Sequence, residues 1–207
     1  MPHKFLALEP EKQSRIINAA IKEFVHKGYN KASTNEMVKD ADISKGLLFH
    51  YFSNKKDLFL FMYDHSLEII GNDFFGKIDI SERDIMQRMR QIMYVKCSLV
   101  AKYPDLFDFI HALNNEDSDE VKLELQNRNN EFMEKSYSKL YENIDTSLFR
   151  EYVDVSKALN IMIWTMEGIS TKKREKAKVL SLNDLHYDEI LAEMDTYLAI
   201  LKKSFYK

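Results

Sequence analysis

Apolar residues recur at three- and four-residue spacing along nearly the whole chain, and no sustained alternation interrupts them. That period belongs to amphipathic helices and not to strands. The first clear stripe is Ile17, Ala20, Ile21, Phe24 and Val25, one face of a helix that opens near Pro10 and ends at Gly28. Ser33-Thr34-Asn35-Glu36 has the form of a capping box, with the Ser33 hydroxyl and the Glu36 carboxylate satisfying orphan N–H groups. The short helix it starts is broken by Asp40 to Ser44, and Ser44 caps a second short helix running through Phe52. A longer helix over 54–72, closed near Gly71, follows Ser53-Asn54. Beyond Gly76 the pattern predicts helices at about 81–102, 104–114, 118–143, 151–173 and 184–205. The acidic run Asn114 to Glu120 reads as a loop feeding a helix N-terminus, where acids suit the dipole. The fold class is all-α.

Composition narrows this further. Five glycines and three prolines in 207 residues are too few for the turns of a β-sandwich or barrel. A chain 45% hydrophobic and 30% charged has material for a substantial core. Its longest apolar stretch, Leu58 to Tyr63, is far short of the roughly 20 residues that cross a bilayer, and Phe5 to Leu8 is too short for a signal peptide. A single cysteine, Cys97, forms no intrachain disulfide and fits a reducing compartment. A cytoplasmic protein with no membrane partner is expected.

Charge divides the chain unevenly. Residues 1–56 hold ten Lys/Arg against six Asp/Glu, a net +4, so the overall −3 leaves −7 on the rest. A basic end on an acidic body suits a head that binds a polyanion. Three short helices in residues 10–52, the last two joined by a tight turn, supply the motif. In a helix-turn-helix one helix braces across the phosphates while the next enters the major groove.

Residues Gly28-Tyr29, Ser33 to Val38, Ala41 to Phe52 and Ser53 to Leu58 resemble the TetR/AcrR family of bacterial transcriptional regulators. The resemblance implies an N-terminal three-helix DNA-binding domain over 1–53, followed by a larger helical effector-binding and dimerisation domain over 54–207. It assigns DNA contact to Thr34 and Asn35 at the start of the second helix and to Lys45, Gly46, Leu47, Phe49, His50 and Tyr51 on the recognition helix. Lys55, opening the next helix, is expected to meet a phosphate. A lysine at position 45 can donate to guanine O6 and N7, whereas Leu47 offers only apolar contact. Phe49 stands where the family usually has tyrosine, which removes one phosphate hydrogen bond, and Asp42 replaces the usual turn glycine.

The body is rich in methionine and aromatic residues, which read equally as ordinary core and as an adaptable apolar pocket. The resemblance implies such a pocket, with Met89, Met93, Phe107, Tyr137 and Trp164 as candidate lining. The last two helices are apolar on more than one face, so each needs more than one partner. Family members pair these helices between subunits, and Ile161, Trp164, Gly168, Leu191, Met194 and Leu198 are the expected dimer contacts. The resulting expectation is a homodimeric repressor, released from a palindromic duplex by a small apolar or amphipathic effector. An α-helical enzyme is the rival reading. The six histidines lack metal-type spacing, no phosphate-cradling glycine loop or serine elbow exists, and Cys97 has no nearby base. No catalytic residue, metal or cofactor is therefore assigned.

Overall fold

The computed structural model describes residues 3–113, 116–177 and 186–207, with the side chains at 137 and 173–177 outside that description. Among the described residues every regular element is helical: α1 (His3–Leu6), α2 (Pro10–Lys31), α3 (Thr34–Asp40), α4 (Lys45–Tyr51), α5 (Lys55–Lys77), α6 (Ile85–Lys102), α7 (Pro104–Leu113), α8 (Lys122–Tyr141), α9 (Val155–Ala177) and α10 (Tyr187–Phe205). A single 3₁₀ turn, Thr146–Leu148, and an isolated bridge between Phe149 and Tyr206 complete the description. No described helix is long and apolar enough to cross a membrane. The chain forms two compact units, Met1–Asn72 with Asp105–Met133, and Asp73–Pro104 with Glu134–Lys207.

Helix ends depart from expectation in instructive ways. Gly28 does break α2: its φ of 66° is non-helical, and the last turn to Lys31 lies beyond the kink. The capping box does not form. Ser33 makes no side-chain cap bond, and its backbone N–H donates to Glu23 Oε1 at 3.0 Å, so a neighbouring helix supplies the acceptor. α5 runs past Gly71 and Gly76 to Lys77, because packing outweighs the ~1 kcal/mol that a glycine costs inside a helix. α6 starts at Ile85 and not at 81, where Asp84 Oδ1 accepts the Met86 N–H at 2.9 Å. α9 starts at Val155 and not at 151, since Asp154 Oδ1 accepts the N–H groups of Ser156 and Lys157. The expected start of the last helix at 184, and Asn114 of the acidic run, lie outside the described residues.

The first unit packs α2, α3, α4 and α5 around Ile16, Ala20, Phe24, Met37, Leu48, Phe52, Phe59 and Met62, all buried, with Phe109 of α7 in the same core. Its α2 end is fastened to the α7–α8 segment. The Tyr29 N–H donates to Glu116 Oε2 at 2.8 Å, the Tyr29 hydroxyl donates to Glu120 Oε1 at 2.5 Å, and the Ser118 hydroxyl donates to Asn30 Oδ1 at 2.9 Å. The acids that the sequence suggested would serve a helix dipole therefore hold the end of another helix.

In the second unit α10 packs on α9 and α6. Ile190, Met194 and Leu198, four residues apart, form its buried stripe, and Met162, Met166 and Ile169 are buried on α9. The fully buried Arg88 donates from Nε to Glu82 O at 2.8 Å, from Nη1 to Leu140 O and Glu142 O at 2.9 and 2.8 Å, and from Nη2 to Ile80 O at 3.0 Å and to Glu82 O.

Candidate nucleic-acid interface

The turn between α3 and α4 is built by backbone chemistry. Asp42 adopts φ 52°, the left-handed conformation that most residues avoid and aspartate tolerates. The Ile43 N–H then reaches back to Val38 O at 3.0 Å and the Asp42 N–H to Lys39 O at 3.3 Å, closing α3 in a Schellman arrangement. Ile43 packs against the core, and Ser44 Oγ accepts the Leu47 N–H at 3.2 Å to start α4. Two residues thus set the angle between the helices: an aspartate in place of glycine, and a serine cap.

α2 braces the turn. Lys22 donates to Asp40 at 3.0 Å, and Arg15 lies 3.8 Å from Asp42. Both pairs are exposed and add little to stability. Their electrostatic effect is to neutralise the two acids of the turn, which would otherwise repel a phosphate backbone.

α4 divides cleanly. Leu48 and the C-cap Phe52 are buried, whereas Lys45, Gly46, Phe49 and His50 are exposed and Leu47 and Tyr51 half-buried. Asn35 is exposed and Thr34 half-buried at the start of α3. A Cβ at Gly46 would meet nothing within 4 Å, so the protein itself leaves that surface open. Lys45 Nζ lies 6.0 Å from the Phe49 ring centroid, one turn further along the same face. The exposed side of α4 accordingly carries a donor, a bare stretch of backbone, an aromatic edge and an imidazole, the types of group that meet base edges and phosphates.

Lys55 has another occupation. Its ammonium donates to Tyr29 O at 2.8 Å, Asn30 O at 3.3 Å and Ala32 O at 3.4 Å, and lies 4.5 Å from the Tyr29 ring centroid. An ammonium has three N–H donors, and all three are spent on carbonyls at the end of α2. The sequence placed Lys55 at a phosphate; in the structure its ammonium rests on these three carbonyls. Spacing could not reveal this, because the carbonyl acceptors lie 23 to 26 residues away in sequence.

In the body, Met89 and Met93 are buried on α6, while Phe107 is half-buried on α7 in the other unit. The side chain of Tyr137 lies outside the described residues. Trp164 is 65% exposed and, with Gly168, Ile169, Lys172 and Tyr197, lines an open groove of ≈ 440 Å³ between α9 and α10. It therefore does not share a buried lining with Met89 and Met93. Of the expected dimer contacts, Ile161 and Trp164 are exposed, Gly168 and Leu191 half-buried, and Met194 and Leu198 1% and 7% exposed. The last two are corrected to core residues. The outward positions on α10 are Tyr197 and Ile200, one helical face away. Burial pushes the Cys97 thiol up to about 11, which keeps it protonated at neutral pH and inert as a nucleophile.

A tight helix-turn-helix with an exposed, donor-bearing second helix on a basic head defines a DNA-binding protein. Residues 16–62 match the family model of bacterial regulatory proteins of the tetR family. YuxN of Bacillus subtilis, an uncharacterized HTH-type transcriptional regulator, is 44% identical over 55 residues, which cover 27% of this chain and only 19% of that protein. The fatty acid metabolism regulator protein of Bacillus subtilis is 24% identical over 198 residues, 92% of this chain and 93% of that one. The fold is shared with a TetR family transcriptional regulator from Chloroflexus aurantiacus at a TM-score of 0.64 and 18% identity, over 99% of this chain and 98% of that one. The matched segment is the helix-turn-helix of DNA-binding transcriptional regulators, and the chain spans about a fifth of the length of YuxN.

Proposed function

We propose that the protein is a homodimeric repressor that leaves a palindromic duplex when a small apolar or amphipathic effector binds its body. The observation that carries the reading is the exposed face of α4, with Lys45 and Gly46 at its leading end. In this reading Thr34, Asn35, His50 and Tyr51 hold the backbone while Lys45, Gly46, Leu47 and Phe49 face the groove. Two copies meet through the outward stripe of α9 and α10, Ile161, Trp164 and Gly168 with Tyr197 and Ile200. Exposed apolar side chains in such a row need a cover, and a two-fold contact supplies one with the same surface on both sides.

The effector acts from the second unit, with Met89 and Met93 among the groups that line its site. The Bacillus subtilis relative matched along 92% of this chain regulates fatty acid metabolism, which favours a ligand with an acyl chain. A ligand shifts the equilibrium only by its differential affinity for two conformers, and a hundredfold release from DNA needs about 2.7 kcal/mol of coupling.

The test is Lys45→Ala, measured against a duplex enriched from a random pool by the wild-type protein. Binding should weaken by about 1–3 kcal/mol, with preference relaxed at one base pair of each half-site. A uniform loss across all sequences would reassign Lys45 to phosphate. No loss at all would remove α4 from the groove.

A further inference from the structure

α1 is a single turn, and the helix-period pattern begins only at Pro10, so nothing in residues 3–8 marks them for a role. Phe5 is nevertheless 0% exposed. Its ring centroid lies 5.9 Å from Tyr51, 5.1 Å from Phe52 and 5.3 Å from Phe61, and the last two are 5.3 Å from each other. Tyr51 is the last residue of α4 and Phe52 its C-cap, so Phe5 packs on the trailing end of the helix that faces DNA. The other end of the segment is tied to α2: Gln13 Nε2 donates to Leu6 O at 3.1 Å and to Leu8 O at 2.7 Å. Residues 3–8 bridge α2 to α4 and α5.

A seven-residue helix has no stability of its own, and its orientation is set by what packs on it. The leading end of α4 is fixed by the Asp42 turn and the Ser44 cap. The trailing end is fixed by rings, and Phe5 is the one that comes from outside residues 16–62, the segment the family model matches. We propose that residues 3–8 are a strap that fixes the angle of α4 in the groove, with Phe5 as a positioning residue acting through Tyr51 and Phe52.

The proposal rests on the DNA reading and separates from it by experiment. Base discrimination depends on the geometry of short hydrogen bonds, whereas attraction to phosphates tolerates a shifted helix. A loosened strap should lower binding to the preferred duplex and spare binding to a random one. A merely structural role would reduce the folded fraction, which lowers both affinities by the same factor.

The full-length protein is used to enrich a duplex from a random pool. Affinities for that duplex and for a random one of equal length are then measured over a range of salt, for wild type, Phe5→Ala and Phe5→Leu. Folded fraction is followed by circular dichroism at the same temperature. The expected result is a fall of about tenfold or more in the preferred-to-random ratio for Phe5→Ala, comparable to losing one base contact. Phe5→Leu should fall less, and the salt slope on the random duplex should not move. A ratio unchanged in both variants, whatever stability is lost, overturns the strap. If Phe5→Ala does not fold, Phe5→Leu decides on the same criterion. A wild-type protein that enriches no duplex overturns the DNA reading and the strap together.

Discussion

Each compact unit uses one cation to collect the carbonyls that a helix end leaves without partners. In the first unit Lys55 serves Tyr29, Asn30 and Ala32 at the end of α2; in the second Arg88 serves Leu140 and Glu142 at the end of α8, and Ile80 and Glu82 beside it. The two differ in enclosure and in donor geometry. Arg88 is fully buried, and its planar fork spans four carbonyls at once. Lys55 is half-buried on a flexible stem, with the Tyr29 ring against its ammonium. A guanidinium held on all sides commits the second unit to one arrangement of α6 and α8. A half-buried ammonium holds the end of α2 through three carbonyls and one ring.

The largest expected effect breaks the comparison at its stronger side. Arg88→Met removes the donors and leaves several buried carbonyls unsatisfied, each worth about 1–3 kcal/mol until water enters. A loss of about 3 kcal/mol or more is expected in urea unfolding, with little recovered by Arg88→Lys, since three donors at one point cannot span the same acceptors. A loss below about 1 kcal/mol would mean that the second unit is not organised around this side chain.

At the weaker side, Lys55→Met should cost about 1–2 kcal/mol, because its carbonyls lie near enough to the surface for water to replace it. The sharper measurement is the dependence of DNA affinity on salt. An ammonium that serves only the fold leaves the slope unchanged, and that is the expected outcome. A slope reduced by about one unit would return Lys55 to the phosphate backbone.

The same contrast explains what could be read from the chain. Periodicity located every long helix, because each must bury a stripe of fixed spacing, and the Asp42 turn was visible as a substituted glycine position. On α4 the structure turns Leu48 and Phe52 inward and Lys45, Phe49 and His50 outward, and the sequence assigned the outward set only through the resemblance. Lys55, Arg88 and Phe5 were not legible. Their partners are backbone carbonyls or rings brought together by tertiary packing, and local spacing carries no trace of a contact 52 residues away such as Arg88 with Leu140. For α10 the period was right and the direction wrong. Met194 and Leu198 form the inner stripe, and choosing between two apolar faces requires knowing what α6 and α9 present.

The smallest effect is nearly silent at neutral pH and sharpens the difference between units in acid. On α5, burial lowers the pKa of His65 below its ordinary 6.5, outweighing Glu68, and its ring stacks on Phe61 at 5.5 Å. The folded first unit thus binds less proton than the unfolded chain, so this contribution to stability is present above pH 6.5 and declines as pH falls through the depressed folded value. In the second unit Asp84 behaves differently. Burial works to raise its carboxyl, but the Tyr206 hydroxyl, the Met86 N–H and Lys202 hold it below 3.8, so its contribution persists until the pH drops beneath that value. Between pH 7.5 and 5, amide protection factors, each referred to the intrinsic exchange rate at that pH, should therefore fall in α4 and α5 around Phe61 while those of α6 and α10 hold. His65→Leu should flatten the first response and leave the second untouched. An equal fall of protection in both units would show that His65 does not set the acid sensitivity of the head.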